Sequence, residues 1–326
     1  RAFGAGFSPG FRHATGELLA FLDADGSSEA RQFGPLTRTL LARDADVVSG
    51  SRLGAGNQMP AVRRLGNRIF ATLINLVSPQ HIEDLASGMR VIRKRAMPRL
   101  MPLPDGLHYT PAMSAKCLFD PQLALVEVPI PYAERVGESK LSVIRDGQRF
   151  LRVLAEIALS YRPFFFFGGA GRPVLLLALA YFVTPAVELV RHQVLPADMI
   201  YRIYTIVVLA SCGVALIGLG LVAADATAIL HERVSRKHWL HRLCELLLLR
   251  RPFLVGMALF AFAIVLNRHS LHTYLTQRRI DEHWIVVVIG GLLVLIGVQL
   301  CALGVMRKIL HMLQERRQAR DAEPGS

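Results

Sequence analysis

The sequence has few cysteines, and they show none of the spacings that bind metals or build disulfide frameworks. Cys117, Cys212, Cys244 and Cys301 lie far apart and form no C-x-x-C pair. This arrangement favours reduced, structural thiols. Acidic residues are also in the minority, with 25 against 38 lysines and arginines and a formal net charge of +13. Such an excess is typical of proteins that meet anionic surfaces such as nucleic acid, phospholipid or phosphorylated substrates.

Long apolar runs are missing from the first 160 residues and dominate the remainder, although the chain as a whole is 52% hydrophobic. A helix needs about 20 apolar residues to cross a bilayer. The sequence therefore predicts about four membrane-spanning helices, at 173–190, 203–223, 253–266 and 284–306. The third is short, and a buried or re-entrant helix is the alternative there. Membrane lipids explain the basic charge without any nucleic-acid partner.

The basic residues are concentrated in two of the segments between and after these runs. The segment 224–252 and the tail after residue 306 are rich in arginine and lysine, whereas 191–202 and 267–283 carry fewer. By the positive-inside rule, the N-terminal half, the segment 224–252 and the tail are cytoplasmic. The sequence thus predicts a multi-pass protein of the inner (plasma) membrane. A homo-oligomer is compatible with this.

The segment before the first apolar run reads as a basic amphipathic helix that is followed by an aromatic cluster. This pattern suits a helix that lies in the membrane interface. The alternative is a solvated helix packed on the soluble domain. The predicted domains are a soluble domain over 1–141, the interface helix and linker over 142–167, a membrane domain over 168–310, and a basic tail over 311–326.

In the soluble half, apolar stretches of strand length alternate with segments of helical period. The predicted strands are Leu18–Leu22, Val47–Val48, Met89–Ile92 and Leu123–Ile130. Alternation of this kind is typical of an α/β fold with a largely parallel central sheet. Ligands of such sheets bind at the carboxyl ends of the strands.

The most informative short stretch is GELLAFLDADGSS, in which Asp23 and Asp25 follow the first strand directly. Two carboxylates in D-x-D spacing offer hard oxygen ligands for Mg²⁺ or Mn²⁺ that bridges a diphosphate. A polar turn at a strand end is the plain alternative. The motif also matches the D-x-D-G-[ST] signature of dehalogenase-type phosphatases. That interpretation needs a downstream G-D-x-x-x-D cluster, which the sequence lacks.

Three further segments accompany this motif: DVVSGSRL (46–53), IEDLASGMRVIRKRA (82–96) and ERVGESKLSVIRDGQRFL (134–151). Their order and spacing resemble family 2 glycosyltransferases of the GT-A fold. The resemblance is to the polyprenyl-phosphate branch, which includes dolichol-phosphate mannosyltransferase and undecaprenyl-phosphate glycosyltransferases. It covers residues 1–160 approximately, and the apolar second half agrees with it.

The resemblance implies an enzyme that moves a hexose from a nucleotide-sugar donor to polyprenyl phosphate at the cytoplasmic face, with inversion. Asp23 and Asp25 would hold Mg²⁺ or Mn²⁺ and, with Asp84 and Arg135, form the catalytic set. Arg52, Arg63 and Asn67 would bind the acceptor phosphate. Arg135, Ser139 and Lys140 would form a flap over the donor diphosphate.

Each of these roles has a structural alternative in the sequence. Arg52 could form a structural ion pair, Arg63 could belong to a solvated helix face, and Asp84 could be a cap or a partner of Arg90. The flap segment could be a surface turn.

The family's N-terminal P-x-[YF]-N-E segment has no counterpart, so we expect the chain as written to be an incomplete, N-terminally truncated enzyme. Two other functions remain open. A processive polysaccharide synthase should carry Q-x-x-R-W, and here only QRFLR occurs. A non-catalytic membrane scaffold or flippase subunit could keep a degenerate transferase domain.

Overall fold

The structure is a computed structural model, and it describes residues 10–11, 13–54, 57–133, 143–192, 195–230, 251–278 and 284–322. The chain divides into two compact units, Arg1–Tyr161 and Arg162–Ser326. The strands are β1 (Leu18–Phe21), β2 (Val47–Ser51), β3 (Arg90–Arg93) and β4 (Leu125–Pro129). The helices of the first unit are α1 (Phe33–Ala42), α2 (Ala61–Asn75), α3 (Met97–Leu100), α4 (Tyr109–Phe119) and α5 (Val143–Tyr161).

The four strands form one sheet in the order β1-β3-β2-β4. All four lie where the sequence predicts strands, and the α/β class is confirmed. The sheet is mixed, however, and not largely parallel: β3 pairs antiparallel with β1 and β2, and only β2 and β4 pair in parallel. The alternation of strands and helices predicts the class but does not reveal strand direction. Because β3 runs antiparallel to both neighbours, its first residue, Arg90, lies beside Phe21 at the end of β1 and beside Ser49 of β2.

Alternate residues of the strands face opposite sides of the sheet, as the pleat requires. Val47 and Ile92 pack on one side with α4, and Val48 and Val91 pack on the other side with α1. Helix α4 is buried almost all around, with ten of its eleven residues inaccessible. The resulting core holds the carboxyl ends of the strands in fixed positions.

Helix α5 is amphipathic, and its apolar face is used within the first unit. Leu154, Ala158 and Tyr161 are buried in a cluster that includes residues of α2 and α4. The Tyr161 ring stacks on Phe119 with 5.9 Å between centroids. The opposite side leaves Leu151 exposed beside charged residues. Whether α5 also lies in a membrane interface stays a prediction.

The second unit is helical throughout its described residues. Its helices are α6 (Pro163–His192), α7 (Ile200–Leu230), α8 (Pro252–Leu266), α9 (Arg268–Gln277) and α10 (Trp284–Ala322). By length and composition, α6, α7 and α10 can each cross a membrane, and the bent pair α8–α9 is a fourth candidate. Three to four apolar helices indicate a membrane protein.

Helix α6 begins at Pro163, ten residues before the predicted start of the first span, and continues through Pro173 and Pro185. The aromatic cluster therefore forms the first turns of the helix. Proline inside an apolar helix is tolerated because neighbouring helices and side chains satisfy the freed backbone groups. Pro185 leaves the Tyr181 carbonyl, four residues earlier, without its helical donor, and the Arg202 Nε of α7 donates to that carbonyl at 3.1 Å. Pro185 therefore lies inside α6 and does not end it.

The direction of the helices follows from their contacts. Ser211 and Asp225 of α7 contact Gln299 and Arg307 of α10, in the same order along both helices, so α7 and α10 run parallel. Helices α8 and α10 run antiparallel, because Gly304 adjoins Phe253 whereas Gly290 adjoins Asn267. Helix α8 has 15 residues, about 22 Å at 1.5 Å per residue. It bends by 53° into α9.

Candidate active site

The aspartate pair lies in a tight turn at the carboxyl end of β1. Gly26 has a φ of 77°, a backbone conformation that glycine adopts without strain. The Ser27 amide and hydroxyl both donate to the Asp25 Oδ1, at 3.1 and 2.6 Å. The Ala133 amide donates to the Ser27 carbonyl at 3.0 Å, which links the turn to the residues after β4. The turn and the carboxylate of Asp25 are therefore fixed together.

Asp23 fits into a notch that a glycine provides. The register that pairs Phe21 with Arg90 places Asp23 opposite Gly88. A Cβ added to Gly88 would overlap the Asp23 carboxylate group. Gly88 is thus required by close approach, since any side chain there would displace this carboxylate.

We therefore expect Gly88→Ala to lower activity about tenfold or more by misplacing Asp23, because small displacements of reacting groups have large effects on rate. The fold should survive, since the displaced group is a single side chain. Initial transfer rates and thermal unfolding of the same preparation would check this. Gly34→Ala is the matched control, because nothing lies within 4 Å of its added Cβ. Equal rates for the two variants would contradict the role of the notch.

Arg52 and Asp84 form a buried ion pair next to this turn. The Arg52 Nε and Nη2 donate to the two Asp84 oxygens at 2.8 Å each, and the Arg52 amide donates to the Oδ2 at 2.9 Å. The Asp84 side chain is fully buried, and 15% of the Arg52 side chain is exposed. The guanidinium also lies over the Tyr132 ring, 5.6 Å from its centroid. The pairing is bidentate, which fixes the guanidinium plane.

Burial alone would lower the pKa of Arg52, but Asp84, Tyr132 and Asp23 together hold it above its ordinary value. Burial alone would also raise the pKa of Asp84, yet Arg52 holds it below its ordinary value. Both groups are therefore charged at neutral pH. The aspartate turn and the ion pair are neighbours in one site, because Gly88 adjoins Asp23 and Asp84, four residues before Gly88, holds Arg52.

The residues 82–88, called here the Asp84 loop, are held by partners on β4 and α2. The Glu127 carboxylate accepts from the Asp84 amide at 2.8 Å and from the Glu83 amide at 2.7 Å. Burial raises the pKa of Glu127 above its ordinary value. The Asn67 Nδ2 donates to the Glu83 carbonyl at 3.2 Å. These contacts position Asp84, and through it Arg52.

Arg90 lies fully buried beneath the Asp84 loop. Its guanidinium donates to the carbonyls of Ser87 and Leu85 and to the Ser114 hydroxyl. Burial lowers the pKa of Arg90 to about 10. Asp84, which the sequence alternative paired with Arg90, has Arg52 as its hydrogen-bonding partner. Arg90 instead acts as a cationic support for the loop backbone.

The remaining site residues from the sequence are placed differently. Asn67 is buried on the inner face of α2 and Arg63, one turn earlier, is half-buried. Arg135, Ser139 and Lys140 lie outside the described residues, although Ala133, two residues before Arg135, is anchored to the aspartate turn.

Sequence reasoning missed Glu127 and Tyr132. The signal for Glu127 was a single acidic residue within the apolar strand segment LALVEVPI.

The chemistry of the aspartate pair fits a divalent cation. Both side chains are carboxylates, and each is held by its surroundings, Asp23 in the Gly88 notch and Asp25 by Ser27. Among the described residues, no group of three or more His, Cys, Asp and Glu side chains is arranged to hold a metal. Mg²⁺ is commonly bound by one or two carboxylates together with substrate phosphates, and this donor set matches that pattern.

An α/β unit with carboxylates and a fixed arginine at the carboxyl ends of its strands has the features of an enzyme that handles phosphorylated ligands. Comparison with known families gives the class: residues 1–100 match Glycosyl transferase family 2. The first unit therefore contains a glycosyl transferase family 2 domain, as the motifs predicted. Residues 163–321 match a second model, described as Domain of unknown function (DUF8752).

Three curated relatives are similar to parts of the chain. A Haloferax volcanii dolichyl-phosphate hexose transferase is 32% identical over 123 residues, which is 36% of this chain and 51% of the relative. A low-salt glycan biosynthesis hexosyltransferase of the same organism is 28% identical over 165 residues, which is 49% of this chain and 40% of the relative. A Trichomonas vaginalis dolichyl-phosphate beta-glucosyltransferase is 29% identical over 49% of each. The chain spans about half the length of the curated relatives it matches.

Proposed function

We propose that this protein transfers a hexose from a nucleotide-diphospho-sugar to a polyprenyl phosphate, with a divalent cation and with inversion at the anomeric carbon. The observation that carries the proposal is the Asp84 loop, which contacts Asp23 through Gly88 and Arg52 through Asp84. A cation site and an anion site thereby adjoin at one edge of the sheet. The names of two relatives, which are dolichyl-phosphate transferases, support the acceptor class.

The reaction needs charge control more than acid–base catalysis. An acceptor phosphate is already anionic near neutral pH, so it needs positioning as a nucleophile and not a general base. One phosphate oxygen forms a bond to the anomeric carbon while the bond from that carbon to the nucleoside diphosphate breaks. A divalent cation bound by Asp23 and Asp25 would neutralise the charge of the departing diphosphate.

Arg52 is the residue that we assign to the acceptor phosphate. Asp84 occupies its Nε and Nη2, and the Nη1 donates to no acceptor within the described part of the chain. A guanidinium whose plane is fixed in this way is preorganised for an incoming anion. Asp84 then acts as a positioning residue and does not touch the reacting atoms. Arg63 would add positive charge from α2.

The direct test uses membranes that contain the full-length protein and a panel of labelled nucleotide sugars. Label should appear in an organic-extractable, mild-acid-labile lipid, and the productive donor identifies the sugar. Label in a high-molecular-mass polymer would indicate a polysaccharide synthase instead. No transfer with any donor, together with intact folding, would favour a non-catalytic scaffold.

We also propose that the first unit and the tail lie on the cytoplasmic side. Helices α7 and α10 run in the same direction, so the chain between them must return across the membrane, and α8 runs in the required direction. In a chain with Cys212, Cys244 and Cys301 replaced by alanine, Ser326→Cys should react only from the cytoplasmic side and Asp198→Cys only from the other. Cys117 should stay silent, because it is buried and burial raises its pKa to about 12. Labelling of Ser326→Cys from outside would mean that α8 does not span.

A further inference from the structure

Helix α2 has two apolar faces, and the described part of the chain covers only one of them. Its inner face buries Ala71 and Ile74 against the first unit. Its outer face, continued by the C-cap residue Leu76, exposes an apolar stripe at helical spacing: Val62 at 62%, Leu65 at 61%, Ile69 at 49%, Leu73 at 43% and Leu76 at 70%. Single exposed apolar residues are ordinary, but a contiguous set of this kind marks an interaction surface.

The same surface is basic. Helix α2 contains three arginines and no acidic residue. Arg64 and Arg68 line a cleft of about 240 Å³ with Met59, Ala61 and Leu65, so positive charge and apolar surface meet at one point. The Arg64 Nη2 also donates to the Asn57 carbonyl at 3.1 Å, which holds this side chain at the cleft. A basic polar edge along an apolar stripe is typical of helices that lie on anionic membranes.

Helix α2 lies next to the helix that leads to the apolar unit. The Phe70 ring stacks on Phe150 of α5, with 5.7 Å between centroids. Helix α5 ends at Tyr161, and α6, the first helix able to cross a membrane, begins at Pro163. A lipid surface must therefore be present within a short distance of the end of α5, and α2 is packed on α5.

We propose that the outer face of α2 docks on the membrane surface and binds anionic phospholipid. Leu65 and Ile69 enter the boundary between head groups and acyl chains, and Arg64 and Arg68 bind lipid phosphate. A second copy of the chain fits less well, because a two-fold contact through this face would bring the same arginines together. Docking also brings the Asp84 loop to about 10 Å from the surface, one helix diameter, since Asn67 on the inner face of α2 holds Glu83.

The first experiment measures how deeply positions 65 and 69 lie in the bilayer. The full-length chain is reconstituted in vesicles of acyl-brominated phosphatidylcholine and phosphatidylglycerol. Leu65→Trp and Ile69→Trp should be quenched strongly above the background of the two native tryptophans. Leu41→Trp is the matched control, because Leu41 is 57% exposed on α1, at the opposite face of the sheet. Quenching of Leu65→Trp no greater than that of Leu41→Trp would overturn the proposal.

The second experiment tests the charge. Replacing Arg64 and Arg68 with glutamate should lower the docking equilibrium in anionic vesicles by at least about 30-fold, the effect expected for two basic residues near such a surface. Replacing Arg38 of α1 and Arg43, the residue directly after α1, with glutamate gives the same change in net charge and should leave the quenching of Leu65→Trp unchanged.

Two further results would overturn the proposal. One is an equal loss of quenching in both double variants, which would indicate a non-specific charge effect. The other is that Leu65→Trp is shielded from brominated lipid because it is buried in a dimer. The outer face of α2 would then bind a second copy of the chain. Free glycerol phosphate provides a third test, and it should not compete with the vesicles. Competition would assign the cleft to a soluble anion and would also contradict docking.

Discussion

Replacing Asp84 with alanine is expected to destabilise the first unit by about 3–5 kcal/mol, the range typical of breaking a buried ion pair. Asp84 is fully buried and accepts three hydrogen bonds from Arg52. Its removal leaves the Arg52 guanidinium, of which 15% is exposed, without its anion. The charge of Arg90, also buried nearby, adds repulsion between the two cations. Transfer activity should be lost with the fold.

The measurement is thermal unfolding of the purified full-length chain, compared with Asp44→Asn, because asparagine tolerates the φ of 46° at this position. Asp44 also pairs with an arginine, Arg93, but its side chain is 81% exposed. Exposed pairs contribute about 0–1 kcal/mol. If both variants unfold at the same temperature, the Arg52–Asp84 pair does not stabilise the unit as the geometry implies.

The pH dependence follows from the lowered pKa of Asp84. A carboxyl group whose folded pKa lies below its unfolded value stabilises the fold above the unfolded pKa, which is about 3.9 for aspartate. That stabilisation is lost as the pH falls from there through the folded pKa. The difference in stability between the parent and Asp84→Ala should therefore be constant at neutral pH and shrink in acid. A difference that shrinks towards alkaline pH would contradict this assignment.

Asp25→Asn is expected to lower the rate of transfer about 10²- to 10³-fold, the loss typical of removing a principal electrostatic contributor. The amide keeps an oxygen that can accept from Ser27, so the turn should persist while one ligand charge disappears. The measurement is the transfer rate together with Mn²⁺ affinity by electron paramagnetic resonance, which does not depend on activity. Both should fall.

Ser27→Ala is the control for this prediction. It removes the 2.6 Å hydroxyl contact to Asp25 but keeps the carboxylate and the backbone contact. We expect a smaller loss of rate and nearly unchanged Mn²⁺ binding. Unchanged activity of Asp25→Asn, or full activity of the parent in excess chelator, would mean that the aspartate pair forms a turn and not a metal site.

The sequence predicted those parts of the fold that depend on local pattern. Leu19 and Phe21 are buried and alternate with the less buried Leu18 and Ala20, so β1 and the aspartates after it could be placed. The direction of β3 could not, because antiparallel pairing depends on contacts between segments that are far apart. The bounds of helix α4 could not be placed either, since a helix buried on nearly every side carries no polar period.

The sequence predicted which residues belong to the candidate site but not which of them contact one another. The motifs identified Arg52 and Asp84 separately, and only the fold shows that they pair across 32 residues of sequence. Helix α2 is a similar case. Its sequence is amphipathic, but which apolar face is covered depends on the position of α5. Long-range packing of this kind leaves no periodic signal in either segment.

The Asp84 loop has a thermodynamic consequence. Its Gly88 end bounds Asp23 and its Asp84 end holds Arg52, so a ligand that shifts one end must change the other. If the donor and the acceptor occupy these two ends, their binding free energies are linked, and linkage is reciprocal. Whatever factor a bound nucleotide sugar applies to the affinity for the lipid phosphate, the lipid phosphate applies the same factor to the affinity for the nucleotide sugar. The five residues from Asp84 to Gly88 would then carry the coupling free energy between the two substrates.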